Sequence, residues 1–197
     1  MQSKEIHGIL YHMIRIPLTQ GKEALIDDED SDLISRFKWS LSRQTRGEYC
    51  YARTSLPRTG RRQRHMLMHR MILQAQPWEQ VDHANGNCLD NRRSNIRICS
   101  HRQNQFNQRK QNRVTSSAFK GVCLCKQTQL WMARIKIFGR NRWLGRHRTE
   151  REAALAYNAA AIELFGEFAR LNDLSQMDSI SGEAHPTTLF PLEPFQG

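Results

Sequence analysis

The sequence predicts an α+β protein assembled from short strands, tight turns and short helices, and three observations carry that prediction. Residues 1–60 read as strands and turns, the stretch from Val81 reads as strand, loop, strand and helix, and the stretch from Ser117 reads as three short strands followed by one helix. With 197 residues the chain has room for one large domain or two small ones, each of the latter only marginally able to bury a core. The polar segment Gln105 to Ser117 separates two apolar blocks and sets the expected division into modules.

In the first 60 residues, Met13 to Leu18 is apolar and β-rich, Thr19 to Lys22 is a turn, and Ala24 to Ile26 returns as a hairpin. Asp28 to Phe37 has an acidic start and helical spacing at Leu33, Ile34 and Phe37. Trp39 to Ser42 and Tyr49 to Thr54 read as strands, with Trp39, Tyr49 and Tyr51 as core aromatics and nothing catalytic among them. Arg58, Arg61, Arg62 and Arg64 cluster around Gly60, as suits a phosphate-gripping loop or, equally, a solvated turn. His65 to Gln76 reads as a helix stopped by Pro77. The expected segments are a β-rich scaffold over 1–60, a second region over 61–114, a sheet-and-helix region over 115–172 and a disordered tail over 173–197.

Lys and Arg total 30 against 19 Asp and Glu, a formal charge of +11 that suits a protein sitting on polyphosphate. A basic protein with a solvated face has the same balance, so the charge favours a nucleic-acid partner without establishing one. No run approaches the ~18 apolar residues of a membrane span, and MQSKEIHGIL lacks the apolar centre of a signal peptide. A soluble, cytoplasmic protein without a membrane partner is expected. The five cysteines include no CxxC pair, so neither a disulfide framework nor a zinc knuckle is signalled. Cys123 and Cys125 alternate on a strand and read as sheet surface rather than a metal site.

From Val81 the chain reads VDHANGNCLDNRRSNIRICSHRQNQFNQ. A short strand ends in Asp82 and His83, Asn85 and Gly86 tolerate the positive φ of a turn, Ile96 to Cys99 is a second strand, and Ser100 with Gln103 forms a capping box that starts a helix. The order DH, NG, DN, a later Asn followed by an apolar residue and Arg, and a final Asn on a helix resembles the HNH endonucleases, and within them the homing enzymes of phage introns. The match covers about Met68 to Asn107. Its specific part is Asp-His with an Asn twelve residues after the His and another nine further on.

The resemblance implies a ββα-metal nuclease module over 61–114, with one Mg²⁺ or Mn²⁺ per active site. His83 is then the general base, since a neutral imidazole titrates near physiological pH, and Asn95 fixes its tautomer through the other ring nitrogen. Asp82 and Asn104 supply the oxygen ligands that suit a hard cation. Asn107 is the rival of Asn104, and His69 in MHRMI reads as a packing or phosphate-contact residue. Successive strand side chains point to opposite faces, so Asp82 and His83 share a site only where the strand ends or twists. Singly, each of these residues has a plainer role as a turn cap, a semi-buried histidine or a loop amide; jointly, in this spacing and strand order, they point to a nuclease.

From Ser117 the chain reads SAFKGVCLCKQTQLWMARIKIFGRNRWLGRHRTEREAALAYNAAAIELFGEFARLN. Thr149 and Glu152 form the helix's capping box, Gly166 follows its end, and Ala153, Tyr157, Ala160, Ala161 and Leu164 fall on one face. FKGV, W-x-A-R-I, WLG, AALAYNAAA and the final LN stand in order and resemble an AP2 domain, which implies a three-stranded antiparallel sheet packed on one helix and laid in the major groove of DNA. Alternation turns Trp131, Ala133 and Ile135 to the helix and Met132, Arg134 and Lys136 outward. Lys120 and Trp143 join the outward set at family contact positions, with Arg140 and Arg142 as further DNA-binding candidates. Cys123 and Cys125 stand where plant AP2 domains place arginines, so the plant target sequence does not carry over.

The reading that results is a site-specific endonuclease of the homing type acting on double-stranded DNA, without a small-molecule cofactor, in the cytoplasm of a bacterial host if the phage resemblance holds. Whether one copy or two act is left open. The alternative is a non-catalytic DNA-binding transcriptional regulator on a nuclease-derived scaffold, which the joint presence of Asp82, His83 and Asn104 disfavours. An RNA-binding protein is the weaker third, because the aromatic motifs of common RNA modules are absent.

Overall fold

The structure, a computed structural model, describes residues 4–6, 9–43, 50–58, 62–110 and 115–175. The β-rich start forms two hairpins, β1 (Lys4–Ile6) with β2 (Ile9–Tyr11), and β3 (Met13–Pro17) with β4 (Glu23–Asp27), the second pairing Ile14 with Ile26 and Ile16 with Ala24. The helix expected over 28–37 is shorter: a single 3-10 turn, Asp28–Asp30, leads into α1 (Ser31–Ser35). Asp30 stands at the N-cap without capping, because its carboxylate is taken by the Arg93 guanidinium instead.

Next come β5 (Ser40–Arg43), β6 (Cys50–Ser55) and β7 (His65–Leu67), an antiparallel sheet in that order. Here the sequence reading needs correction, since His65 to Leu67 pair with Ser55 to Arg53 and only Met68–Ile72 is helical, as α2. Pairing to β6 commits the first three residues to extended backbone, and a positive φ at Gln74 follows the shortened helix. Tyr49, Gly60 and Arg61, expected as a core aromatic and the centre of a basic cluster, lie outside the described residues, as does most of the expected tail.

β8 (Gln80–His83) and β9 (Ile96–Cys99) form an antiparallel pair, and α3 (His101–Phe106) follows. The capping box is complete: Gln103 N–H donates to Ser100 Oγ at 3.3 Å, and Ser100 N–H donates to Gln103 Oε1 at 2.8 Å. One hydrophobic core draws Ile26, Ile34, Trp39, Ala52, Met68, Ile72 and Ile96 together. Each fully buried aliphatic or Met side chain in it contributes about 1.5–3 kcal/mol. Because that core runs past residue 60 without a break, the β-rich start packs as one body with the Asp82–His83 segment.

The chain divides into two units, Met1–Arg113 with Ala161–Arg170, and Val114–Ala160 with Leu171–Gly197. The second is built on β10 (Val122–Leu124), β11 (Trp131–Ile137) and β12 (Arg140–His147), antiparallel in that order, and on α4 (Glu150–Phe165), whose last turn belongs to the first unit. Thr149 and Glu152 cap α4 reciprocally, with Glu152 N–H donating to Thr149 Oγ1 at 3.1 Å and Thr149 N–H to Glu152 Oε2 at 3.3 Å. Val122 and Ala133 pack on Ala153 and Ala154, with Trp131 and Leu144 at the margin. Gly121, at φ +77°, admits no side chain: a Cβ there would meet the Tyr157 ring at 2.2 Å and Arg134 O at 2.5 Å. Asn172 ties the unit closed. It accepts from Lys120 N–H at 2.7 Å, donates to Lys120 O at 3.1 Å and exchanges two further bonds with Asn158. Among the described residues no helix is long and apolar enough to cross a membrane.

Candidate functional site

The antiparallel register places Asp82 opposite Arg97 and His83 opposite Ile96. Directly paired residues share a face and neighbours alternate, so Asp82 and His83 engage different partners. Both are buried. Asp82 Oδ2 accepts from Arg97 Nε at 3.0 Å and Nη2 at 2.8 Å, and Asn107 Nδ2 donates to Asp82 Oδ1 at 2.9 Å and to the His83 carbonyl at 2.8 Å. Arg97 is itself held by the Glu167 carbonyl at 2.7 Å, and its guanidinium lies 4.0 Å over the Phe168 ring. Sequence reading missed Arg97 as a site residue, although its cross-strand position to Asp82 is a usable signal.

His83 sits on the other side among rings and amides. The His69 ring lies edge-on at 5.0 Å between centroids, and Tyr51 lies 5.4 Å from His69 and 6.2 Å from His83. His83 Nε2 is 3.4 Å from Asn91 Oδ1, while Asn91 Nδ2 donates to the Leu89 carbonyl at 3.1 Å. That second bond orients the amide, so its oxygen faces the ring, Nε2 carries the proton and Nδ1 is left with its lone pair. Burial pushes the His83 pKa down, and the Asn91 hydrogen bond and the charges of Asp82 and Asp90 offset this only in part. Burial, with His83 and Arg70 nearby, lowers His69 to about 3. Among the described residues His69 Nδ1 has no hydrogen-bond partner.

Two expectations about amides are corrected here. Asn95 does not face His83: its Oδ1 accepts from Asn85 N–H at 2.9 Å and its Nδ2 donates to the Asp90 carbonyl at 2.7 Å, while Ala84 N–H donates to the Asn95 carbonyl at 2.8 Å. It therefore clamps the loop after His83, and Asn91 takes the position beside the imidazole. Asn104 does not reach Asp82; its Nδ2 donates to Gln80 Oε1 at 2.9 Å, and Asn107, the C-cap of α3, stands at the carboxylate. Residues three apart share a helix face, so spacing alone leaves Asn104 and Asn107 equivalent and the packing of a six-residue helix decides between them.

The loop from Ala84 to Asn95 is a chain of satisfied polar groups. Gly86, at φ +73°, closes a turn with its N–H donating to the His83 carbonyl at 2.8 Å. Asp90 accepts from Arg92 at 2.7 Å through both oxygens and from Asn85 at 2.9 Å. Burial raises the Asp90 carboxyl, but Arg92 and Asn85 outweigh it and hold the group below the usual carboxylate range. The N-terminal region supports this loop. Leu25 exchanges 2.8 Å backbone bonds with Leu89 and Asn91, and Asp27 and Asp30 bind Arg93 through its N–H and its guanidinium at 2.7 Å each.

Asp82 Oδ1, the Asn107 side-chain amide and the His83 carbonyl converge as hard oxygen-bearing groups, with the charge of the carboxylate shared with Arg97 through its other oxygen. An amide presents nitrogen or oxygen after a half-turn about its last torsion, so the set fits a small divalent cation. Among the described residues no thiolate or imidazole hydrogen-bonds within that cluster, and its oxygen groups suit a hard rather than a soft metal.

On the sheet of the second unit, Arg134 lies opposite Trp143, Lys136 opposite Asn141 and Met132 opposite Arg146. Arg134, Lys136 and Trp143 are exposed, whereas Ala133 and Ile135 are buried, so the predicted outward face is outward. Lys120 is half-buried, its backbone held at both ends by Asn172. Arg142 is corrected: it lies opposite the buried Ile135 and is half-buried, on the face turned away from Arg134 and Trp143. Arg146 replaces it. A bulge between Ala133 and Arg134 shifts the register by one, which brings Arg146 to the face of Trp143 against simple alternation.

A family model described as HNH endonuclease matches residues 67–106. A protein of Acanthamoeba polyphaga mimivirus named "Uncharacterized HNH endonuclease L560" is 30% identical over 160 residues, covering 79% of this chain and 77% of that protein. No solved structure matches the chain.

Proposed function

The chain belongs to the HNH endonuclease family, whose members act on DNA and as a class depend on a divalent metal, and from that premise we propose that it is a homing-type, site-specific endonuclease of double-stranded DNA. In this reading residues 61–114 with 161–170 do the cutting on a support supplied by residues 1–60, and the remainder of 115–172 reads DNA as an AP2-like module. The protein then acts on DNA in the cytoplasm of a host cell.

The observation that carries the reading is the convergence of Asp82, Asn107 and the His83 carbonyl, on the strand end that also carries the buried His83 imidazole with its Nε2 turned to Asn91. Asp82 and Asn107 would hold Mg²⁺ or Mn²⁺, which when bound neutralises charge on the pentavalent phosphate and on the leaving 3′ oxygen. His83 Nδ1 takes the proton of the attacking water as the new P–O bond forms and the P–O3′ bond breaks, and solvent water protonates the departing 3′ oxygen, leaving a 5′-phosphate and a 3′-hydroxyl. Burial keeps that imidazole neutral, Asn91 fixes its tautomer, and His69 with Tyr51 walls its ring. Arg97 anchors one oxygen of Asp82, and Asn95 fixes the loop that carries the base. The exposed Arg134, Lys136, Arg146 and Trp143 supply phosphate and base contacts from the sheet.

Incubating the protein and Mg²⁺ or Mn²⁺ with a randomised DNA library, with ends mapped on both strands, is expected to give cuts at a preferred site. His83→Ala is expected to lose roughly 10²–10⁴-fold in cleavage, the range of general-base catalysis, with DNA affinity retained. Equal cleavage by the variant removes His83 as the base.

A further inference from the structure

Two arginines far apart in sequence close on the turn that follows His83. Arg170 Nη1 donates to the Asn85 carbonyl at 3.1 Å and Arg109 Nη2 to the Gly86 carbonyl at 3.4 Å. A carbon added at Gly86 would meet both, Arg170 Nη1 at 3.0 Å and Arg109 Nε at 3.4 Å, so the two guanidinium groups flank one point above the loop. Both residues belong to the first unit.

Other arginines around this loop are already spent on acids: Arg92 on Asp90, Arg93 on Asp30, Arg97 on Asp82. Among the described residues neither Arg109 nor Arg170 pairs with a carboxylate, and their hydrogen bonds on this turn go to carbonyls. A guanidinium has five N–H donors in a planar fork suited to phosphate, so most of their donors stay available. Two like charges side by side repel, and an anion bound between them reverses the sign of that interaction. Arg109 is exposed and Arg170 half-buried, and Gly86 has no side chain to keep a polymer backbone off the turn. The turn itself hangs from the catalytic strand, through the bond from Gly86 N–H to the His83 carbonyl.

We propose that Arg109 and Arg170 form a phosphate clamp for the DNA backbone, gripping a phosphate that flanks the one cut beside His83. The proposal rests on the nuclease reading of that site. It gives the end of α4 and the residues after it a role in cutting: Phe165 stacks on Phe106 at 3.9 Å, Phe168 lies under Arg97, and Arg170 completes the clamp. Residues 161–170, near the end of the 115–172 stretch, thus finish the cutting unit.

The test uses the full chain and a labelled mixed-sequence duplex, with affinity measured in EDTA across a KCl series. Arg109→Gln with Arg170→Gln is expected to raise Kd tenfold or more and to make the plot of log K against log salt shallower by about 0.9 for each phosphate that the variant no longer neutralises. Arg109→Lys with Arg170→Lys, which keeps the charge, is expected to keep the slope while losing some affinity. In cleavage assays KM is expected to rise more than kcat falls. A double Gln variant that melts like the parent and binds with unchanged Kd and slope overturns the clamp. If only the double Gln variant fails to fold, the single Gln variants decide: unchanged slopes in both overturn the clamp, a shallower slope in either supports it. A parent protein that cuts, with the slope unmoved by the variants, removes the clamp alone. A parent protein that does not cut with either metal, but whose double variant shows the shallower slope, keeps the clamp and removes the nuclease reading.

Discussion

Asp82, His83, Asn91, Asn95 and Asn107 are buried, and each is held by a bond to a named neighbour, whereas Arg134, Lys136 and Arg146 stand exposed on a sheet whose order comes from its other face. The two arrangements suit two tasks. A group that must meet one reacting phosphorus needs its position fixed to a fraction of an ångström, and buried hydrogen bonds do that at the cost of desolvation. A surface that follows a deformable polyanion works with long solvated cations, and needs only that their Cα positions be set. The difference teaches where each unit is vulnerable: the first to loss or charging of a buried polar group, the second to loss of its apolar backing or its charge.

The largest expected effect follows from the buried histidines. His69 has a folded pKa of about 3 against an ordinary 6.5, so the unfolded chain binds the proton more tightly. Its contribution to stability is fully present above pH 6.5 and is lost as pH falls from 6.5 toward 3, by roughly 4–5 kcal/mol at the low end. His83, also lowered, adds a loss of the same sign. Amide hydrogen exchange followed from pH 7 to pH 4 is expected to show residues 65–107 losing protection before β10 to β12 do. Loss of protection in the sheet at the same pH would break the comparison.

Next in size is the choice between two amides. Asn107→Ala removes the side chain that touches both Asp82 and the His83 carbonyl, and cleavage is expected to fall by about 100-fold, the scale on which groups ordering a metal site act. Asn104→Ala removes a hydrogen bond to Gln80 and is expected to cost less than about fivefold. Kinetics of the two variants at saturating metal decide the matter, and the reverse order would restore Asn104 as the ligand.

That pair also marks how far the sequence could be read. The strand, loop, strand and helix around Asp82, both capping boxes and the outward face of β11 were legible, because each is written in spacing within about a dozen residues. The shortened helices were not: strand pairing of His65 to Leu67 with Ser55 to Arg53 overrides a helical pattern, and the claim of Arg93 on Asp30 comes from a partner 63 residues away. Asp27 and Arg93 are 66 residues apart, so the support that the first 60 residues give the loop has no local signature. The resemblance named Asn95 as the amide beside His83 and passed over Asn91 of the DN pair, which is the one that meets the ring. Within one loop that depends on a single backbone rotation, which the Leu89 carbonyl settles by orienting Asn91. His69 and Tyr51 read as packing, and their packing against His83 is where their role lies.

The smallest expected effect tests the sheet face itself. Arg146, brought outward by the bulge, is expected to contact backbone phosphate: Arg146→Ala should weaken binding roughly fivefold and flatten the salt dependence by about 0.9. Arg142, opposite Ile135, is expected to change affinity by less than about twofold when replaced by Ala, its loss appearing instead as a lower melting temperature because its stem covers the apolar side. Salt-series binding and thermal melting on the two variants separate charge presented to DNA from packing within the unit. An Arg142 variant that weakens binding as much as the Arg146 variant, with melting unchanged, would put both faces of β12 on the DNA. The division of that strand into one backing face and one reading face would then have to be abandoned.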